Sequence, residues 1–153
     1  MARKGDQTMK IIMTTLAILA ASPAISCDSV LLHVASYHTD RDLIKGVNET
    51  NLGLGCGFGV TENILIEGGF YENSYSDMTV YGIAALKHSS GLGVYAGIAS
   101  GYQDDIGVAD HGVTGVAGFV YSSDIMTIRV APSYNGTTGT KGAVVALSIN
   151  IGG

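Results

Sequence analysis

Apolar and polar residues alternate along most of the chain after residue 26, and no stretch there has a convincing helical period. In the final stretch Val145, Leu147 and Ile149 fall on one side, whereas Ser148 and Asn150 fall on the other. A period of two is typical of β-strands with one apolar face. The pattern predicts eight strands, at Ser29–His38, Asn51–Val60, Asn63–Tyr71, Met78–Lys87, Leu92–Tyr102, Gly112–Tyr121, Ile125–Tyr134 and Lys141–Ile151.

The links between these segments alternate in length. Long polar links follow the odd-numbered segments, at 39–50, 72–77, 103–111 and 135–140. Short links follow the even-numbered segments, at 61–62, 88–91 and 122–124. Outer-membrane barrels have long outer loops and short periplasmic turns. We therefore predict an all-β fold, an eight-stranded antiparallel up-and-down transmembrane β-barrel with both termini in the periplasm.

Composition supports an apolar exterior. Charged residues make up 14% of the chain, whereas an ordinary soluble domain has about 25%. The chain also has 22 glycines, and Gly53, Gly55 and Gly57 share the predicted inner side of the second strand. Glycine at these positions leaves room inside a narrow barrel.

The start of the chain has the three parts of an export signal. Arg3, Lys4 and Lys10 are basic, 11–21 is apolar, and 24–26 has small residues. We expect 1–26 to be a cleaved signal peptide and 27–153 to form a monomeric barrel in the outer membrane of a Gram-negative bacterium. Cleavage would leave a formal net charge of about −7, which argues against nucleic acid as a partner.

Two cysteines, Cys27 and Cys56, leave three alternatives open. An exported pair suggests a disulfide. However, a hairpin centred near Ile44 would put Cys56 opposite Leu32, with Cys27 about 16 Å away along the strand. We therefore favour two unpaired thiols. Cys27 also lies where a lipoprotein signal places an acylated cysteine, so a soluble lipid-binding barrel tethered there is an alternative.

Five tyrosines fall near the ends of the predicted strands that lead into the long links. We expect them to form an aromatic girdle at one membrane interface. They are Tyr37, Tyr71, Tyr75, Tyr102 and Tyr134.

Glu67 and Arg129 are the two charges within the predicted strand interiors. Each lies four residues from the periplasmic start of its strand, on the inward side. A lone charge would be costly there. We therefore predict that they meet in an interior ion pair or polar network that maintains the shape of the barrel.

Metal and cofactor sites are not indicated. The spacing of the four histidines gives no convincing ligand set, and the glycines form no phosphate-binding loop. The acidic residues of the fifth link are expected to be solvated. The histidines are His33, His38, His88 and His111, and the acidic residues are Asp104, Asp105 and Asp110.

Short motifs along 31–150 occur in a definite order and spacing. They are 33–38 on the first strand, 71–75 after the third strand, and Asp40-Arg41 and Asn48-Glu49 in the first outer loop. Gly53, Gly55 and Gly57 follow, and Pro132, Tyr134 and Asn135 come near the end. In order and spacing these motifs resemble the PagP-type lipid A palmitoyltransferases of the outer membrane.

The resemblance implies an enzyme that moves an acyl chain from a phospholipid to lipid A. His33 would be the general base and Ser74 the hydroxyl partner, with Asn73 where the family has aspartate. Alternatively, His33 is a buried member of the Glu67–Arg129 cluster. The competing functional class is a non-enzymatic surface barrel of bacterial or prophage origin, whose acidic loops serve adhesion, phage exclusion or resistance to host defences.

Overall fold

The strands close into a single barrel in a computed structural model that describes residues 27–39, 48–102, 112–134 and 141–151. Each strand pairs antiparallel with its sequence neighbours, and the last pairs with the first. The strands are β1 (Ser29–His38), β2 (Gly53–Gly59), β3 (Ile64–Glu72), β4 (Met78–Lys87), β5 (Leu92–Ser100), β6 (Val113–Ser122), β7 (Met126–Tyr134) and β8 (Lys141–Ile151).

The predicted eight-stranded antiparallel barrel is confirmed. The first, fourth and eighth strands have the predicted bounds, and the others differ by one or two residues at one or both ends. Links 60–63, 88–91 and 123–125 lie at one end, here called the turn rim. The link after β3, at 73–77, lies at the other end, the loop rim. The structure describes no helix long and apolar enough to cross a membrane.

Large apolar side chains point outward from the barrel. Phe119 is 69% exposed, Ile98 is 61% exposed and Leu92 is 60% exposed. Similar exposure occurs on β3, β4 and β8, so the apolar surface continues around the barrel. A belt of this kind would be unfavourable against water and is the surface that lipid requires. The alternation of burial along the strands therefore gives the barrel its transmembrane character.

The buried apolar core fills one side of the barrel interior. It is formed by Tyr81, Ile83, Tyr95, Ala99 and neighbouring small residues of β4, β5 and β6. Gly55 makes room for the largest of these side chains, because a Cβ at this position would lie 2.3 Å from the Tyr81 hydroxyl. Gly55 thus leaves the space that the side chain of Tyr81 occupies.

A β-bulge interrupts the pairing of β1 with β8 between His33 and Ala35. Simple alternation from His33 would point His38 towards lipid. After the bulge, however, His38 pairs with the inward position Val144 and so points into the barrel. One extra residue in a strand reverses which face the following side chains occupy.

The ladder between β6 and β7 is incomplete towards the loop rim. It contains four register pairs, from Ser122 with Thr127 up to Phe119 with Val130. Pro132, two residues further along β7, has no N–H to donate to a ladder. The register pairs of the two strands therefore cover only the turn-side half of the barrel.

The expectation of unpaired cysteines is wrong, because Cys27 and Cys56 form a disulfide with a Cα–Cα distance of 5.3 Å. Two features produce this result. The strand register places Val30, not Leu32, opposite Cys56. The chain also turns back before β1, where Asp28 N donates to Gly57 O at 2.9 Å. The Cys27 sulfur is therefore engaged, which removes it as the acylated anchor of a tethered barrel.

The expected tyrosine girdle is only partly present. Tyr37 and Tyr75 are exposed near the loop rim, but Tyr71 and Tyr102 are half-buried and join through their hydroxyls at 2.8 Å. Burial raises the pKa of the Tyr102 phenol, which keeps it protonated. The side chain of Tyr134 lies outside the described residues. The inward pair belongs to the packing of the barrel, because Tyr71 follows the inward alternation of β3.

Candidate functional site

A chain of polar side chains crosses the middle of the barrel. Ser148 Oγ lies 2.8 Å from His33 Nδ1, and His33 Nε2 lies 2.7 Å from the Tyr81 hydroxyl. Tyr81 donates to Glu67 Oε1 at 2.6 Å. Arg129 Nη2 donates to Glu67 Oε2 in a buried ion pair. Five strands, β1, β3, β4, β7 and β8, thus contribute to one connected network.

The hydrogen bonds of this network have one consistent direction. Tyr81 uses its proton on Glu67, so His33 Nε2 must donate to the Tyr81 oxygen. In a neutral imidazole this leaves Nδ1 to accept from the Ser148 hydroxyl. Glu67 receives both the Tyr81 and the Arg129 donors and is 1% exposed. The network therefore joins and neutralises the two buried charges of Glu67 and Arg129, which form the expected interior contact.

His33 and Ser74 do not come together, in contrast to the arrangement that the family resemblance implies. Both ring nitrogens of His33 are engaged in the network just described, at the depth of Glu67. Ser74 lies in the link after β3, at the loop rim. The alternative position of His33, within the interior polar cluster, is the one that the structure shows.

His38, and not His33, lies next to Ser74. Its Nε2 atom lies 2.7 Å from Ser74 Oγ, and the contact is partly buried. The backbone supports the serine, because Asn48 N donates to Ser74 O at 2.9 Å. A hydroxyl in contact with an imidazole is the minimum arrangement for general-base activation of the hydroxyl. The loop rim therefore carries a histidine–serine pair.

Asn73 organises the turn that holds Ser74. Its Oδ1 atom accepts from Tyr75 N at 2.8 Å and from Asp77 N at 3.1 Å. Its Nδ2 atom donates to Thr79 Oγ1 and to Gly101 O. These four hydrogen bonds use the full capacity of a buried amide. Asn73 thus positions Ser74 through the backbone of the turn.

The sequence did not indicate that Tyr81 and Ser148 belong to the interior network or that His38 pairs with Ser74. Tyr81 and Ser148 lie on predicted inward positions, so alternation could have found them. His38 could not be found in this way, because the bulge at His33/Ala35 reverses its face.

The inward side chains in the loop-side half of β6, β7 and β8 are small or medium in size, and Val116 and Ala131 among them pack against the buried core. Val116, Ala131, Val144 and Ala146 are only half-buried, whereas inward Ile83 and Ala99 on the opposite wall are buried. We call the interior surface along these four residues the hollow. It lies behind the part of β6 and β7 that has no register pairs, with His38 near its upper end, beside Val144.

Within the described residues no group of three or more His, Cys, Asp or Glu could hold a metal ion. Asp104, Asp105 and Asp110, which were expected to be solvated, lie outside that part of the chain.

No family model matches the chain, and no curated protein matches it. The chain is similar to three solved structures. A de novo designed transmembrane β-barrel is 17% identical, with a TM-score of 0.44, over 82% of this chain and 98% of that chain. The designed barrel TMB2.3, solved by NMR, is 19% identical, with a TM-score of 0.46, over 85% and 99%. The N-terminal β-barrel domain of Pseudomonas aeruginosa OprF is 16% identical, with a TM-score of 0.42, over 82% and 98%.

Proposed function

We propose that this protein is an outer-membrane barrel that binds a lipid acyl chain in the hollow. The incomplete ladder between β6 and β7 carries the proposal. Unpaired backbone groups facing lipid are costly, so a ladder that stops halfway needs a reason. An opening there would give an acyl chain a lateral way in without crossing water. Half-buried Val116, Ala131 and Val144 provide an apolar wall behind that opening.

The interior network supports the binding of an acyl chain and argues against the conduction of ions or solutes through the barrel. The Glu67–Arg129 pair and the residues bonded to it occupy the middle of the barrel. A chain entering from the loop side therefore meets a polar floor at the level of Arg129. This gives the hollow a closed end, as a binding site requires.

The proposal extends to location and orientation. Residues 1–26 would act as a removed export signal, and the disulfide is consistent with an oxidising compartment such as the periplasm. The loop rim would face outward and the turn rim would face the periplasm. The lipid partners would then be phospholipid and lipid A of the outer leaflet, with the barrel acting as a monomer.

Acyl transfer is a second proposed function, favoured by the 2.7 Å contact between His38 and Ser74. In this reaction Ser74 Oγ attacks the ester carbonyl carbon of a phospholipid while His38 Nε2 takes the serine proton. The ester C–O bond breaks, and the proton passes to the departing lysolipid oxygen. A lipid A hydroxyl then attacks the acyl-serine, His38 takes that proton, and the proton returns to Ser74. His38 replaces His33 as the base.

Binding can be tested by blocking the hollow. Ala131→Phe places a ring on the inward face of β7, whereas Ala117→Phe places the same ring on the exposed face of β6. Native mass spectrometry of the refolded barrel with a fatty acid methyl ester should show a bound ester for the wild type and for Ala117→Phe. Ala131→Phe should lose it. If Ala131→Phe folds and binds the ester as well as the wild type, the hollow is not the site.

Transfer can be tested by the mass of lipid A from a Gram-negative host that expresses the barrel. We expect an added acyl chain that disappears in His38→Ala and in Ser74→Ala. His88 and Ser90 provide a matched histidine–serine pair at the turn rim, where Nδ1 and Oγ lie 3.2 Å apart. His88→Ala and Ser90→Ala should leave the product unchanged. Unmodified lipid A from a correctly inserted wild-type barrel would leave a binding protein or a non-enzymatic surface barrel.

A further inference from the structure

An open groove of about 350 Å³ lies on the outer surface of the barrel, where β4 ends and β5 begins. We call it the turn-rim groove. Its lining has an apolar part and a polar part. The apolar part is formed by Leu86, Leu92 and Val94, and the polar part by Asn63, Lys87 and His88. The groove is separate from the hollow, which lies inside the barrel along β6, β7 and β8.

The apolar part of the groove continues from the rim onto the lipid-facing surface. Leu92, Val94 and Leu86 are all exposed on the outer face. Leu92 lies nearest the rim, whereas Val94 lies two residues further along β5 and pairs with Leu86 across the two strands. Two residues of a strand rise by about 7 Å. The apolar side chains thus form a short strip in the direction that an acyl chain takes in a membrane leaflet.

The polar part of the groove lies at the rim end of this strip. Lys87 is the last residue of β4, and its backbone N donates to Asn63 O at 2.8 Å, which places the two residues side by side. Within the residues that the structure describes, the side chains of Asn63 and Lys87 make no hydrogen bond or ion pair, and the adjacent Glu62 does not pair with Lys87. The Lys87 ammonium and the Asn63 amide are therefore available to a ligand.

His88 adds a further donor at the same end. Ser90 N donates to His88 Nδ1 at 3.2 Å. A backbone N–H can only donate, so Nδ1 accepts and the proton of a neutral imidazole lies on Nε2. The groove thus offers an ammonium, an imidazole N–H and an amide to one ligand. Phosphate matches these groups, because its oxygens accept several hydrogen bonds and its charge is opposite to that of Lys87.

We propose that the turn-rim groove binds one anionic phospholipid of the adjacent membrane leaflet, with its phosphate at Lys87 and His88 and an acyl chain along Leu86, Leu92 and Val94. A free phosphate would leave the apolar strip uncovered, and a neutral acylglycerol would leave the donors without acceptors. An amphiphile satisfies both parts of the groove. This inference goes beyond the proposed acyl-chain binding, because it concerns the outer surface and requires no access to the hollow.

The test uses the full chain, refolded in detergent with its disulfide formed. Native mass spectrometry compares dioleoyl phosphatidylglycerol, dioleoylglycerol, which has the same chains without phosphate, and glycerol phosphate, which has no chains. We expect phosphatidylglycerol to bind about tenfold more tightly than dioleoylglycerol, the equivalent of one hydrogen bond to a charged group. Glycerol phosphate alone should not bind detectably.

Lys87→Gln and His88→Ala should each reduce the preference for phosphatidylglycerol over dioleoylglycerol while leaving dioleoylglycerol binding unchanged. Lys141→Gln is the matched control, because Lys141 is an exposed lysine at the other end of the barrel, where β8 begins. It should keep the full preference. Ala131→Phe, which blocks the hollow, should keep the preference as well, so that failure of acyl binding in the hollow is distinguished from failure of the groove.

Four results would overturn the proposal. Equal binding of phosphatidylglycerol and dioleoylglycerol would show that phosphate is not recognised. Glycerol phosphate that binds as tightly as phosphatidylglycerol would assign the donors to a free phosphate. An unchanged preference in both Lys87→Gln and His88→Ala would place the phosphate elsewhere. An equal loss of preference in Lys141→Gln would attribute it to the overall charge of the protein.

Discussion

The Glu67–Arg129 pair gives the sharpest test of the interior network. Arg129→Met removes the guanidinium and leaves a carboxylate that is 1% exposed with the Tyr81 hydroxyl as its donor. Glu67→Gln removes the charge that faces Arg129. Breaking a buried pair by removing one partner costs about 3–5 kcal/mol, because the remaining charge is uncompensated. We expect each single variant to lose about that much free energy of unfolding.

The double variant, Glu67→Gln with Arg129→Met, should lose less than the sum of the two single losses. No unpaired charge remains in it, so a coupling of at least about 1 kcal/mol is expected for residues in direct contact. The measurement is urea unfolding of the barrel in lipid vesicles, followed by far-ultraviolet circular dichroism. Glu62→Gln at the exposed turn rim is the control and should change stability by less than about 0.5 kcal/mol.

Two outcomes would refute this reasoning. If the double variant loses the sum of the unfolding free energies that the two single variants lose, the two charges do not interact. If either single variant loses less than about 1 kcal/mol, the buried charge is solvated or has another partner. Either result would remove the Glu67–Arg129 pair as the element that holds the plug together.

Three further predictions concern the packing, the disulfide and the lipid-facing surface. Gly55→Ala should cost about 1–3 kcal/mol in the same unfolding assay, because its Cβ would lie 2.3 Å from the Tyr81 hydroxyl. Gly82→Ala, with no atom within 4 Å of its Cβ, should be nearly neutral. Cys56→Ser should cost about 2–4 kcal/mol, since the disulfide joins two residues that are 29 positions apart in the sequence. Reduction of the wild type should reproduce this loss, and an unchanged midpoint would contradict it. Ile98→Arg on the exposed face of β5 should cost about 2–4 kcal/mol in vesicles, whereas Val60→Arg at the turn rim should cost less than about 1 kcal/mol there. Equal losses would argue against a lipid-facing belt.

The alternation of inward and outward side chains along the strands predicts most residues of the interior network. Glu67 and Arg129 lie on inward positions of strands across the barrel, and two opposite charges in an apolar interior have a strong reason to meet. Tyr81 and Ser148 share that inward face and join the same network. The pairing of His38 with Ser74 depends instead on the bulge, which alternation does not show.

The sequence by itself determined the number of strands, their antiparallel order and the two faces of the barrel. These properties depend on the period of the side chains and on the lengths of the links, which are local. Tertiary structure decided which side chains meet. The bulge in β1 turned His38 inward, the register placed Cys56 opposite Val30, and the fold-back of the chain brought Cys27 to Cys56. Each result depends on how one strand is aligned with another, because a shift of one residue reverses a side chain and a shift of two separates a pair.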